Sequence, residues 1–255
     1  MITEVKLWWE KAAEDYQRQC RIPIDILYGP GAPNEDELQL IGPVAGKHVL
    51  EIGCGGAQAA IAFAKRGAMV TGIDIAEAQL RFARELAARE GVEITLLQGD
   101  MANLGPITTA SQDVVFSACA LGYVDDLFAC FAEVHRVLKS TGIFVWSVGH
   151  PFNQVLDDHH PEDLTVVNSY FDTGIHIAGA TGAPGEAFAS VNCTISDYFD
   201  LLTQAGFVVE RLIEPDSRQR YACDPWYGLW ETTPERCAKL PQTIIFKCRK
   251  RQENA

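Results

Sequence analysis

A strand-like apolar run that breaks into small residues constrains this chain more than any other feature. Residues 49–52 include the acidic Glu51 and precede Gly53, Cys54, Gly55, Gly56 and Ala57, after which a helix is predicted. Residues with little or no side chain let backbone N–H groups approach a ligand closely, and the positive N-terminal end of the helix lies beside them. The segment therefore predicts a cofactor-binding loop between a strand and a helix.

The glycine spacing indicates which kind of cofactor is bound. A dinucleotide fingerprint places glycine at the first, third and sixth positions, but the sixth position from Gly53 is Gln58. Instead, Gly53, Gly55 and Ala57 occupy alternate positions two residues after Glu51. This order resembles motif I of the class I S-adenosylmethionine (SAM)-dependent methyltransferases, E/D-x-G-x-G-x-G, with alanine replacing the last glycine.

Acidic residues also follow the next two predicted strands. Strand 68–73 ends at Asp74, 21 residues beyond Gly53, about the spacing at which a carboxylate reaches ribose hydroxyls in nucleotide-binding α/β folds. Strand 92–98 leads into Asp100, and in the methyltransferase family an acid here accepts a hydrogen bond from the adenine amino group. Either acid alone is explained by a helix cap or a turn, but the position of both acids at the ends of successive strands favours a nucleoside site.

The resemblance predicts a set of cofactor contacts at these strand ends, in the loop and on the N-terminal segment. Family members place N-terminal aromatic rings beside the sulfonium, where a π face attracts a cation. The predicted contacts are Tyr16, Tyr28, Glu51, Gly53, Cys54, Gly55, Ala57, Gln58, Asp74, Ile75, Gln79, Gly99, Asp100, Met101, Ser117, Ala118 and Leu121.

Residues 113–147 make the resemblance more specific. The segments 113–117, 131–139 and 141–147 are similar to the UbiE-like small-molecule branch called methyltransferase type 11, which residues 45–150 match strongly and the rest loosely. The implied fold is α/β, a Rossmann-like, doubly wound, seven-stranded sheet, mostly parallel with an antiparallel last strand. The alternation of predicted strands and helices along the chain agrees with this fold. It predicts strands at 48–52, 68–73, 92–98, 113–118 and 142–148, helices at 57–66, 77–90 and 126–139, and then helix 194–205 and strands 207–212 and 242–247.

We expect residues 1–255 to form one domain with two additions to its core. The core comprises a cofactor-binding part, 47–150, and a C-terminal part, 194–255. Residues 1–46 form an N-terminal lid that includes a helix over 7–20. Residues 151–193 form a substrate-cap insertion without a helix and with short strands at 165–171 and 174–177.

Aromatic residues in and near these additions are the candidate acceptor contacts, namely Trp9, Phe152, Tyr221, Trp226 and Tyr227. His150 directly follows the fifth strand and is the candidate general base, because an imidazole suits proton removal near neutrality. A histidine that caps a turn or fills a pocket wall is the alternative. No metal is expected, since the run 157–160 is typical of an acidic surface loop.

Composition argues against several other functions. Hydrophobic residues make up 47% and charged residues 22%, as in an ordinary globular protein. The net charge of −13 disfavours nucleic-acid and anionic-membrane partners. Without a membrane-spanning apolar run or a signal-peptide core, the expected compartment is the cytoplasm, and the eight cysteines are expected to be reduced.

The sequence thus predicts SAM-dependent methyl transfer to a small-molecule acceptor at O, N or C, giving S-adenosylhomocysteine (SAH). A quinone-precursor C-methyltransferase and a non-catalytic SAM-binding regulatory protein stay open as alternatives. Nucleic-acid methylation is disfavoured because residues 117–120 contain no [N/D]-P-P-[Y/F] element. The expected partner is the small-molecule acceptor, with the protein a monomer or a homodimer.

Overall fold

A computed structural model describes residues 1–157, 159–160, 162–178, 188–218, 220, 224–226 and 233–252. Seven strands form the central sheet: β1 (His48–Ile52), β2 (Met69–Asp74), β3 (Thr95–Gln98), β4 (Gln112–Ala118), β5 (Leu138–Gly149), β8 (Phe207–Ile213) and β9 (Thr243–Lys250). The described helices are α1 (Ile2–Cys20), α2 (Glu35–Leu38), α3 (Gln58–Lys65), α4 (Glu77–Glu90), α5 (Leu127–Val137), α6 (Ile195–Gln204) and α7 (Pro234–Lys239).

The order of the strands in the sheet is β3-β2-β1-β4-β5-β9-β8. Strands β1 to β5 pair in parallel, whereas β9 runs antiparallel to both of its neighbours, β5 and β8. The predicted fold class is therefore confirmed. Because the chain order reverses direction between β1 and β4, a crevice for a ligand is expected outside the carboxyl ends of these two strands.

Two apolar cores cover the faces of the sheet. On one face Trp146 of β5 stacks on Phe246 of β9, with ring centroids 4.5 Å apart, and Phe131 of α5 packs beside them. On the other face Phe116 of β4 packs edge-on against Phe63 of α3. All these rings are fully buried. The two buried faces fix the strand register, so the loops at the carboxyl edge have defined positions.

In the first addition to the core, residues 1–46, the predicted helix is present but is longer than predicted. Helix α1 runs from Ile2 rather than from residue 7 and ends at Cys20, after which the capping residue Arg21 adopts a left-handed conformation (φ 47°). The short helix α2 was not predicted. It is capped by Asn34, whose side chain accepts a hydrogen bond from the Glu37 N–H. Four residues are too few for a periodic sequence signal.

The second addition differs from the prediction. Strand β6 (Gly174–Ala178) pairs with β7 (Phe188–Asn192), whereas residues 165–171 form no strand and make one isolated bridge, Leu156 to Val166. A 3-10 helix over Pro151–Val155 was also missed. The C-terminal end of the predicted strand lies in a turn: the Ser169 hydroxyl accepts a hydrogen bond from the Phe171 N–H, which bends the chain there.

Smaller differences concern element ends. Strand β3 begins at Thr95 instead of residue 92, because the Val92 N–H is bonded to the Ala87 carbonyl at the end of α4. Helix α7 was not predicted, although Thr233 and Pro234 form an ordinary helix start. Among the described residues, no helix combines the length and the apolar character needed to cross a membrane.

Candidate functional site

The carboxyl ends of β1, β2 and β4 open into a deep cleft that α1 covers. The space between its lining residues, open solvent included, amounts to roughly 1050 Å³. Among the predicted residues, those that line it are Trp9, Tyr16, Glu51, Gly53, Cys54, Gly55, Gln58, Asp74, Ile75, Gln79, Gly99, Asp100, Met101, Ala118 and Trp226.

The loop after β1 is held in a left-handed conformation over several residues. Gly53 (φ 66°) and Gly55 (φ 52°) adopt it, and so does Ala57 (φ 60°) at the start of α3. A Cβ atom on Gly53 would lie 2.3 Å from the Ala120 Cβ, so protein packing requires glycine there. A Cβ on Gly55 would meet nothing closer than the Gln79 Oε1 at 3.9 Å, so this position faces space in the cleft.

Asp74 links the loop to the end of β2. Its carboxylate accepts hydrogen bonds from the Gly55 N–H at 2.7 Å and from the Ala76 N–H at 2.9 Å. Burial raises the pKa of Asp74 to about 6, and these two bonds limit the rise. Asp100 lies at the end of β3, where its carboxylate accepts a bond from the Ala102 N–H at 2.9 Å. The two acids face one cleft from neighbouring strands.

Glu51 lies deeper in the same cleft. Its carboxylate accepts a hydrogen bond from the Ala60 N–H in the first turn of α3 at 2.7 Å. Burial raises the pKa of Glu51 to about 8, and the neighbouring Asp74 charge adds to the rise. Glu51 is therefore largely protonated at neutral pH in the folded chain but ionised in the unfolded chain.

This pKa shift predicts a pH-dependent stability. A carboxyl whose folded pKa exceeds its unfolded pKa contributes stability below the unfolded value, and the contribution is lost as pH rises from about 4.5 to about 8. We expect Glu51→Gln, which stays neutral and keeps an acceptor for the Ala60 N–H, to flatten this decline. Urea unfolding between pH 5 and 8.5 measures the free energy of unfolding of each variant, with the exposed Glu93→Gln as the control. Parallel pH curves for wild type and Glu51→Gln would contradict the assignment.

Helix α1 is attached to α3 and α4 by polar contacts. The Glu10 carboxylate accepts hydrogen bonds from the N–H groups of Glu77 and Ala78, at 2.7 and 3.0 Å, and so caps α4, which has no cap of its own. Further along α1, the buried Gln17 donates to Gln79 at 2.9 Å and accepts from Gln58 at 2.7 Å. These bonds fix α1 over the cleft.

Four aromatic rings form a second group of contacting residues in the cleft lining, which we call its aromatic end. Trp9 packs edge-on against Tyr16 (centroids 5.3 Å apart, planes at 82°) and against Tyr123 (5.8 Å, 78°). The Trp226 indole N–H donates to the Tyr16 hydroxyl at 3.2 Å. All four rings line the cleft. The cleft thus has an acidic, glycine-rich end and an aromatic end.

Residues 50–146 match the family model described as "Methyltransferase domain". The chain carries a class I methyltransferase domain. It is 34% identical to the uncharacterized methyltransferase YbaJ of Bacillus subtilis and 38% identical to the ubiquinone biosynthesis O-methyltransferase of Pseudomonas aeruginosa (strain LESB58). The first alignment covers 43% of this chain, the second 39%, and each covers 43% of the relative, so the chain matches under half of either protein's length.

A solved structure shares the fold of the whole domain. The S-adenosylmethionine dependent methyltransferase from Mesorhizobium loti superposes with a TM-score of 0.68 at 23% identity, over 84% of this chain and 95% of that one. SAM is the cofactor of such a methyltransferase domain. The cleft fits it, since Gly55 leaves open space that a Cβ would enter and the acids at the ends of β2 and β3 face the same cleft.

Four predicted cofactor contacts do not line the cleft of the methyltransferase domain. The Tyr28 ring is fully buried against Phe116, and its hydroxyl donates to Glu35, so its backbone neighbours Leu27 and Gly29 reach the cleft instead. Burial also keeps Ser117, Leu121 and Ala57 out of the cleft lining. The Ser117 hydroxyl donates to the Ile52 carbonyl, and Leu121 belongs to the core. Ala57 is buried at the start of α3. These four predictions are corrected.

The prediction of His150 as a general base is also corrected. His150 is fully buried and does not line the cleft. Its Nδ1 accepts a hydrogen bond from the Phe152 N–H at 3.1 Å, which places the ring proton on Nε2, 2.8 Å from the Glu214 carboxylate. Burial lowers the pKa of His150. The histidine therefore caps the 3-10 helix after β5, which was the alternative interpretation.

Among the other acceptor predictions, Phe152 stacks on His150 and is 46% exposed outside the cleft. Tyr221 and Tyr227 lie outside the described residues. In the insertion, His160, Glu162 and Asp163 come within metal-ligating distance of one another, but all three are exposed. Asp158, part of the acidic run, also lies outside the residues that the structure describes.

Sequence reasoning missed several residues that line the cleft of the methyltransferase domain, including Gln17, Cys119 and Tyr123. Tyr123 lies on a single 3-10 turn, Leu121–Tyr123, that carries no periodic signal. Gln17 reads as one of several polar residues on α1, yet it is 6% exposed. Its tertiary partners on α3 and α4 are visible only in the folded chain.

Proposed function

We propose that this protein is a SAM-dependent methyltransferase that acts on a small-molecule acceptor at O, N or C. The observation that carries the proposal is the two-ended cleft, in which acids and a glycine loop line one end and four aromatic rings line the other. The acidic end has the chemistry to hold a nucleoside, and the aromatic end has the chemistry to hold a small, partly apolar molecule.

Each part of the acidic end has a proposed role. SAM supplies a methyl group already activated on a positive sulfur. Asp74 would hold the ribose hydroxyls, Asp100 the adenine amino group, and the loop from Gly53 to Gly56 would approach the remaining portion through its backbone. The lining residues Glu51, Cys54, Gln58, Ile75, Gln79, Gly99, Met101 and Ala118 complete this proposed cofactor site.

The chain's contribution to the reaction is alignment and exclusion of water. Displacement at an activated methyl group needs the two reacting partners held in line, which binding in the cleft beneath α1 would provide. The polar bonds of Glu10 and Gln17 hold α1 over the cleft and so limit water access. Since His150 is committed elsewhere, we propose no general base.

The additions to the core are proposed to serve the acceptor, as part of a single domain. Phe188 of β7 packs against Trp8 of α1 at 5.0 Å and against Tyr123 at 5.4 Å. The insertion therefore meets the N-terminal lid beside the aromatic end, which supports its role as a substrate cap. We propose a cytoplasmic protein whose partner is a small molecule rather than nucleic acid or a membrane, in keeping with the net charge of −13.

A quinone precursor is the second candidate acceptor, because a named relative is an O-methyltransferase of ubiquinone biosynthesis. The name of this relative favours methyl transfer to oxygen, whereas the alternative drawn from the sequence was methyl transfer to carbon of a quinone precursor. Restored quinone methylation in a strain that lacks the activity would support this candidate.

The proposed function is tested with methyl-deuterated SAM and a metabolite extract. Mass spectrometry is expected to find a labelled small molecule whose fragments identify the methylated atom, and calorimetry with SAH is expected to show 1:1 binding. SAH binding without any labelled product would favour a SAM-binding regulatory protein. Absence of SAH binding would overturn the cofactor assignment itself.

A further inference from the structure

The four rings at the aromatic end form a corner rather than a flat stack. Trp9 stands nearly perpendicular to both Tyr16 and Tyr123, and Trp226 adds a fourth ring, fixed by its hydrogen bond to Tyr16. Rings that meet at right angles present π faces in more than one direction to a group placed between them. Such an arrangement is suited to a positively charged group, because each face carries negative potential.

The cleft has no cationic side chain that would pair with an anion. All 21 Lys and Arg and all six His residues belong to the part of the chain that the structure describes, and none of them lines the cleft. The carboxylates of Asp25, Asp74 and Asp100 do line it. Arg66 reaches Asp25 at 3.3 Å without joining the lining. An acceptor with a carboxylate or phosphate near its reacting atom would be desolvated here without a counter-charge.

The groups at the aromatic end are also neutral at ordinary pH. Burial raises the pKa values of the Tyr16 and Tyr123 hydroxyls and raises the pKa of the Cys119 thiol to about 12. None of these groups is a strong base, so an acceptor that must lose a proton inside the cleft, such as a phenol, is poorly served. A phenol that ionises in solvent would enter the cleft as an anion, whereas an amine that releases its proton to solvent enters neutral and with a free lone pair.

On the basis of the function proposed above, we infer that the acceptor is an amine and that Trp9, Tyr16, Tyr123 and Trp226 form a cage for the ammonium that it becomes. The amine releases its proton to solvent before it enters the cleft, and its nitrogen lone pair then forms the new N–C bond while the methyl C–S bond breaks and its electron pair stays on sulfur. The positive charge thereby passes from sulfur to nitrogen. A primary or secondary amine then releases a proton to solvent, whereas a tertiary amine keeps the charge permanently.

The test compares three probes of the same shape and different charge on the SAH-loaded protein. These are choline, its neutral carbon analogue 3,3-dimethyl-1-butanol, and the anion 3,3-dimethylbutanoate, each titrated by calorimetry. We expect choline to bind roughly 3- to 30-fold more tightly than the alcohol, and the anion not to bind. Equal or tighter binding of the alcohol or the anion would overturn the inference, and so would no binding of any probe up to 50 mM.

Two variants of Trp9 separate the π face from simple bulk. Trp9→Leu is expected to remove the preference for choline over the alcohol, whereas Trp9→Phe keeps most of it. Phe152→Leu, which changes a ring outside the cleft, is expected to leave the preference unchanged. A preference that survives Trp9→Leu would show that the cage does not produce it.

The failure of this inference is distinguishable from failure of the proposed function. SAH binding, measured in the same titrations, tests the cofactor site independently of the probes. If SAH binds and choline shows no preference, the amine inference is wrong and the methyltransferase proposal stands. If SAH does not bind, the probes titrated into the unloaded protein still test the cage.

Discussion

Asp74→Asn is expected to weaken SAH binding about 100-fold or more, because two hydrogen bonds from hydroxyls to a charged acceptor contribute about 1.5–3 kcal/mol each. The substitution keeps the size of the side chain but removes its charge. It also places an amide N–H₂ opposite the Gly55 or Ala76 N–H, both of which now donate to Asp74. Calorimetric titration of SAH measures the effect.

The nearby Glu77→Gln is the matched control. Glu77 also lies close to the end of β2, but its carboxylate is paired with Arg84 at 2.6 Å on the surface and does not line the cleft. We expect its SAH affinity to equal that of the wild type. An Asp74→Asn affinity within threefold of wild type, with an unchanged thermal unfolding midpoint, would contradict the assignment of Asp74 to the nucleoside.

A pH series adds a second measurement on the same variant. Since burial raises the pKa of Asp74 to about 6, the wild-type carboxyl loses its proton between about pH 5 and 7. Its ionised form accepts hydroxyl bonds more strongly, so wild-type SAH affinity is expected to rise over this range. The Asp74→Asn variant lacks this titration, and its affinity should not show that rise.

Site residues whose positions follow from the pattern of strands could be predicted from the sequence. Residues whose orientation depends on tertiary contacts could not. Gly53, Gly55, Asp74 and Asp100 were predictable because each follows a strand, and parallel strands bring their carboxyl ends to one edge. The seven strands followed from the alternation of predicted elements, and the antiparallel last strand followed from the family resemblance. These features depend on local periodicity that a single sequence carries.

Side-chain direction was the point at which prediction from sequence failed. Tyr28 lies between Leu27 and Gly29, which both line the cleft, yet its own ring turns into the opposite core beside Phe116. His150 follows β5 as predicted, but Glu214 and the Phe152 N–H fix its ring away from the cleft. Partners distant in sequence decide such orientations, and no local pattern encodes them.

Gly53→Ala is expected to destabilise the fold by about 2–5 kcal/mol, the sum of a left-handed backbone penalty and an overpacking penalty. The added Cβ would lie 2.3 Å from the Ala120 Cβ and 3.0 Å from the Met101 Sδ. The Ala120 Cβ has no rotamer by which it can move aside, so the backbone of one loop must shift. Urea unfolding measures the change, and SAH binding should be lost with it.

Gly91→Ala separates the two penalties. Gly91 ends α4 with nearly the same φ, 67° against 66°, but a Cβ there would meet nothing within 4 Å. Its substitution should therefore cost only the backbone term, about 1 kcal/mol, and leave SAH affinity unchanged. The excess for Gly53→Ala then measures how tightly the loop packs against Ala120 and Met101. Equal losses for the two variants would mean that the loop yields to the methyl group, and that close packing does not require glycine at position 53.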